Sequence, residues 1–176
     1  PVFLIILLPW FFYWFLSGGK HKAKPIGFFG PKTPVTKMVD GKPVSDTIYH
    51  TIHDFNLTNI DGIPYPSSEL KKYFHVVGVF NTRSKVSVAI FEKLYFLQEE
   101  VKGKSDIRIL TINNQPLSDS IASIQKFIEG KIIDRKEWFL LMGSEDEIET
   151  LLTKSLFINY SSDKPVDNDH LFLIDK

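Results

Sequence analysis

Residues 2–16 (VFLIILLPWFFYWFL) carry no charged side chain, and the pattern changes sharply after them. Residues 25–46 are rich in Pro, Gly and Lys without periodicity, which predicts an extended linker or strap. Residues 47–59 alternate enough to predict a strand, with Ile52, Phe55 and Leu57 as its apolar positions. Asp61-Gly62 is a hairpin signal, with 63–65 as the return strand, and 66–70 (PSSEL) read as a cap and one helical turn. Residues 75–80 (HVVGVF) are nearly continuous apolar, as a strand buried on both faces should be. Helical spacing follows at Ile90, Leu94, Leu97 and Val101, with Phe91 alongside, Ser84 as N-cap and Gly103 at the C-terminal end. Residues 106–113 form a second strand, parallel to the first because a helix separates them. Ser118 is expected to cap a second helix, with Ile121, Ile124, Phe127 and Ile128 inward and Gly130 at its end. A third strand at 138–142 (WFLLM) leads into the capping box SEDE at 144–147 and a helix through Ile148, Leu151 and Leu152. A short strand at 156–160, a polar loop at 161–169 and a strand at 171–174 follow, and the domain is expected to be incomplete at its C-terminal end.

Alternating strand and helix units predict an α/β fold, with a mainly parallel central sheet, helices on both faces and a β-hairpin at its start. The organisation expected is a transmembrane anchor at 1–17, a linker or strap at 18–46 and one α/β domain at 47–176. The apolar run is shorter than the roughly 20 residues of a spanning helix. It begins at the first residue, so a preceding segment could complete it. Trp10, Tyr13 and Trp14 suit a membrane interface, and Pro9 is tolerable in a membrane helix. A signal-peptide core or a buried helix is the alternative, and so many large aromatics are unusual for a signal peptide. Lys20, Lys22 and Lys24 follow the run and argue for a cytoplasmic C-terminal side.

Composition narrows the chemistry. Of 176 residues, 43% are hydrophobic and 15 are Phe, a globular composition. Lys+Arg and Asp+Glu balance at 21 each, so bulk charge gives no case for nucleic acid. The absence of cysteine excludes disulfides, thiolate metal sites and thiol catalysis within this chain.

Several short stretches occur in a telling order: Gly30-Pro31-Lys32, residues 46–52 (DTIYHTI), Asp54-Phe55, Thr58-Asn59 and Asp61-Gly62, then Trp138-Phe139, Gly143, Glu147-Ile148, Asp169-His170 and residues 173–176 (LIDK). Through these, residues 28–176 resemble the Sco/SenC family of membrane-anchored, thioredoxin-like copper proteins, and the Bacteroidetes-type versions above all. The resemblance implies a thioredoxin-like fold on one membrane helix, with the domain in the periplasm of a bacterium and the anchor in its inner membrane. It also implies a copper site made of a CxxxC pair on the turn after the central strand and a distant His. Matched to this chain, the pair falls on Ser84 and Val88, and the His on His170. Soft thiolates suit Cu(I), whereas a serine hydroxyl is a hard donor and valine offers none. The expectation is a degenerate site with no metal, cofactor or catalytic residue. The protein would then be a non-enzymatic accessory subunit contacting the membrane and the integral subunits of a complex. The alternative is a copper chaperone or oxidase assembly factor using His170 with non-standard ligands.

Other candidates have structural explanations. His50 and His53 should point to opposite faces of a strand. Arg83 could meet an anion at a helix N-terminus, although most such arginines are solvated. Met142 is expected in the core. Asn56 and Asn159 match a glycosylation acceptor pattern that matters only in a eukaryotic secretory setting.

Overall fold

A computed structural model describes residues 9–13, 27–161 and 166–176. The chain divides into two compact units, Pro1–Pro31 and Lys32–Lys176. In the first, residues 9–13 are helical, with Trp10, Phe11, Phe12 and Tyr13 exposed. Most of the expected membrane anchor lies outside the described residues. Among the described residues, no helix is long and apolar enough to cross a membrane.

The second unit begins with a hairpin of its own, β1 (Lys32–Val39) and β2 (Lys42–Tyr49), paired antiparallel. This corrects the expectation of an irregular strap through residue 46. Asp40 and Gly41 form the turn with φ of 51° and 73°, the left-handed pair that a tight two-residue hairpin turn needs. Almost every position of both strands is exposed, so no buried face imposes an apolar alternation on the sequence. The strand predicted over 47–59 is split: β2 ends at Tyr49, residues 50–55 are irregular, and β3 covers Asn56–Asn59.

From β3 onward the chain builds one six-stranded sheet. Its strands are β3, β4 (Pro64–Pro66), β5 (Phe74–Phe80), β6 (Ile107–Asn113), β7 (Trp138–Met142) and β8 (Leu171–Ile174), in the order β4-β3-β7-β6-β5-β8. β5, β6 and β7 are parallel neighbours, and β3 and β8 run antiparallel to β7 and β5. A 3-10 turn, Ser67–Lys71, carries the chain from β4 to β5. The helices α1 (Lys85–Val101) and α2 (Ile121–Phe127) follow β5 and β6, and α3 (Glu145–Thr150) opens from the Ser144–Glu147 capping box.

Strand alternation divides the core between the two faces of the sheet. One face joins Leu57, Val77, Val79, Leu110, Ile112 and Leu141 to Tyr65, Leu70, Ile148 and Leu152. The other joins Phe80, Ile109, Trp138 and Leu140 to Ile90, Phe91 and Leu94 of α1 and Ile124 of α2. Each fully buried aliphatic or aromatic side chain is worth about 1.5–3 kcal/mol, so these two clusters carry most of the stability of the fold. Gly78 lets α1 approach closely: a Cβ there would lie 3.1 Å from Ile90 and 3.2 Å from Leu94.

Two further expectations are corrected. α2 is capped by Ser120, not Ser118, because the chain turns back through Gln115 to Asp119 before the helix starts; Ile121 is consequently exposed. Residues 156–160 are not a strand. α3 runs into a π-turn, Leu151–Ser155, and Phe157 takes a positive φ of 53°, which takes the chain out of extended geometry. Leu156 and Tyr160 are still buried.

Candidate functional site

The candidate site is the turn between β5 and α1. Ser84 ends the turn with extended backbone, and its hydroxyl accepts the N–H groups of Val86 (3.0 Å) and Ser87 (3.4 Å), satisfying donors that a helix start leaves free. Ser87, one turn into the helix, accepts the Asn81 N–H at 3.0 Å, and the Asn81 side-chain oxygen accepts the Arg83 N–H at 3.1 Å.

The anchor of this turn is Asp119, a carboxylate only 3% exposed. It accepts the Thr82 N–H (2.9 Å), the Thr82 hydroxyl (2.6 Å) and the Asn113 side-chain amide (2.7 Å). The ends of β5 and β6 are thereby tied to the turn before α2, and the Arg83 guanidinium reaches the Ser118 carbonyl at 3.4 Å. The Arg83 side chain therefore has a protein partner. In the same region the Asn81 Nδ2 and the Asn114 Oδ1 have no hydrogen-bond partner.

The other two matched positions contribute little. Val88 is 40% exposed on α1 and has no donor atom. Leu171 pairs with Gly78, so His170 stands one residue beyond the ladder, at the sheet end where β5 leads into Ser84. Its side chain is 78% exposed, and its Nδ1 lies 2.9 Å from both Asn168 Oδ1 and Asp169 Oδ1. A hydroxyl already engaged by two N–H groups, a valine and one solvated imidazole do not fit a copper ion, which needs several soft or imidazole donors converging. Among the described residues, no three His, Asp or Glu side chains come together as ligands.

His50 and His53 are placed otherwise than predicted. Both sit on the irregular segment after β2 and face the same residue. His50 Nε2 is 3.1 Å from the Ser155 carbonyl oxygen; the Ser155 hydroxyl accepts the His53 N–H at 2.9 Å and lies 3.1 Å from His53 Nδ1. Loss of strand geometry removes the alternation that would have separated them. The pair pins the segment to the π-turn. His53 also lines an open cleft of about 280 Å³ with Asp54, Phe55, Asp146, Glu147, Thr150 and Leu151, none of which belongs to the β5–α1 turn. Met142 is half-buried against the second core cluster, as a packing residue.

Asp119 escaped the sequence reading, and so did His75. The signal for Asp119 was the polar cluster Asn113-Asn114-Gln115 ending an apolar strand, with a carboxylate soon after. His75 is fully buried in β5 with its Nε2 2.9 Å from the Tyr65 hydroxyl, and its Nδ1 has no partner. Burial pushes its pKa down to about 4; Arg108 adds to this, while the Tyr73 backbone and Glu69 oppose it. Burial also pushes the Tyr65 hydroxyl pKa upward.

No protein-family model matches this chain, and no curated protein does. Solved structures do. The BsSco structure, from a member of the Sco family of cytochrome c oxidase assembly proteins, superposes with a TM-score of 0.59 at 24% identity, over 70% of this chain and 76% of that one. A SCO1/SenC family lipoprotein from Bacillus anthracis gives 0.58 at 23% identity, over 70% and 74%. Yeast Sco1 gives 0.53 at 17% identity, over 70% and 80%. The class is therefore a mixed α/β, thioredoxin-like domain. More narrowly, its architecture is that of the Sco/SenC structures, as the sequence resemblance implied.

Proposed function

We propose that this chain is a degenerate Sco-like protein whose thioredoxin fold has been kept as scaffold. It acts as a non-catalytic, membrane-anchored accessory subunit of a membrane protein complex. The observation that carries this reading is the state of the β5–α1 turn. Ser84 and Val88 stand where the resemblance puts the thiols, the Ser84 hydroxyl is spent on capping α1, and the turn is fastened by Asp119 rather than left open for chemistry. The hydrogen bonds of the Ser84 hydroxyl are to backbone N–H groups and not to a base, and the Thr82 hydroxyl is held by Asp119 as part of the fastening of the turn. The domain lies in the periplasm of a bacterium with residues 1–17 in the inner membrane, and 18–31 lead to the folded unit. The aromatic-rich run at 2–16 supports the anchor, and the description of the Bacillus anthracis protein as a lipoprotein supports association with a membrane.

Purification of the full chain in a mild detergent tests the subunit role. Integral membrane proteins should co-purify in fixed proportion, whereas a monodisperse monomer alone contradicts the reading. A reporter fused to the C-terminal end tests the side of the membrane. It should be active outside the cytoplasm despite Lys20, Lys22 and Lys24.

A second reading, a copper carrier or assembly factor built on His170, is favoured by one observation: His170 remains at the sheet end that carries Ser84. Yeast Sco1 has been solved with copper bound, with a TM-score of 0.54 to this chain at 17% identity.

A further inference from the structure

We propose that His75 is an acid-sensitive lock, holding the crossover of β4 and the Ser67–Lys71 turn onto the sheet while uncharged and releasing it on taking up a proton. The crossover is lightly held. β4 is a three-residue edge strand paired only with β3, and Tyr65 and Leu70 are the buried side chains it brings to the core. One further tie is the Ser67 N–H donating to the Phe55 carbonyl at 2.9 Å. Another is the Ser67 hydroxyl donating to Asp54 at 2.9 Å. Tyr65 is the direct link, because its hydroxyl and His75 Nε2 share a hydrogen bond of 2.9 Å.

The surroundings do not accept a charge at this point. His75 is fully buried, its Nδ1 makes no hydrogen bond, and the nearby Tyr73 backbone favours the charged form without outweighing the burial. From β6, Arg108 occupies the register position beside it and adds a like charge. From the crossover, Glu69 provides the opposing carboxylate, but it is bound to Lys72 at 2.7 Å. Tyr65 and Tyr73 meet the imidazole edge-on, and β8 brings Ile174, an uncharged residue, to its other side. A protonated imidazole gains water most readily if the crossover lifts, since short edge elements with few buried contacts are the first to open.

The sign of the effect follows from the direction of the shift. In the opened state His75 regains its ordinary value near 6.5, while closed it titrates at about 4. Stability of the closed crossover is therefore full above about pH 6.5, falls as the pH drops and levels off below about 4. At pH 5 the closing equilibrium is weakened about 20-fold relative to pH 7.

Hydrogen exchange of the full chain in detergent at pH 7 and pH 5, corrected for intrinsic exchange, tests this. Protection over residues 64–72 should fall about 20-fold in the natural protein and by less than about threefold in His75→Gln, whose amide keeps an acceptor for Tyr65 and does not titrate. Equal losses in the two proteins, or no loss in the natural one, overturn the lock. Should His75→Gln not fold, the His75 ring resonance of the natural protein decides the matter. No titration above pH 5 supports the lock, and a midpoint near 6.5 refutes it.

Discussion

At its carboxyl end β5 runs into a turn whose ionisable group, Asp119, accepts three hydrogen bonds from three different donors. Near its amino end the ionisable group is His75, equally buried, with one nitrogen bonded and the other without a partner. Both ends belong to one strand in one sheet, and burial is nearly identical. The difference lies in satisfaction. A buried polar group whose bonds are all made locks its surroundings in one arrangement, whereas one left half-made holds only under the right conditions. At the end where the resemblance places the thiols the ionisable group is thus the better satisfied of the two, which accords with the proposed scaffold role.

This contrast can be broken by substitution. Asp119→Ala strips the partners from the Thr82 N–H and the Asn113 amide together, and should lower stability by about 3 kcal/mol in urea unfolding. A loss below about 1 kcal/mol means that the turn is not fastened there. Tyr65→Phe removes the hydrogen bond to His75 Nε2 and should cost about 1.5 kcal/mol at pH 7. It should not reverse the direction of the acid dependence, because burial rather than the hydroxyl sets it. Ser84→Ala should cost about 1 kcal/mol through loss of the α1 cap. Rescue by Asp at this position, and not by Cys, identifies the role as capping, measured by the same unfolding curves.

The β5-α1-β6-α2-β7 succession was legible because each element buries a face, which imposes a period of two or of 3.6 on its apolar residues. The β1–β2 hairpin buries neither face, so its sequence shows no period. Asp40-Gly41 was its one readable mark and went unused. Ser84 as cap and 144–147 as capping box were readable because capping is local. Asp119 was not, since it acts on Thr82, 37 residues away, through a contact that only the paired ends of β5 and β6 create. The link between His50, His53 and Ser155 escaped for the same reason, spanning more than a hundred positions. In physical terms, the sequence states periodicity and caps well, and states the partners of isolated polar residues poorly.

The proposed scaffold role leaves the turn after β5 without a tight copper site. Equilibrium dialysis of the natural protein and of His170→Ala against Cu(I) tests it most directly. The account predicts the same weak uptake for both proteins, since the His170 side chain is solvated and Ser84 and Val88 supply no soft donor. Tight, stoichiometric Cu(I) binding that disappears in His170→Ala would contradict it.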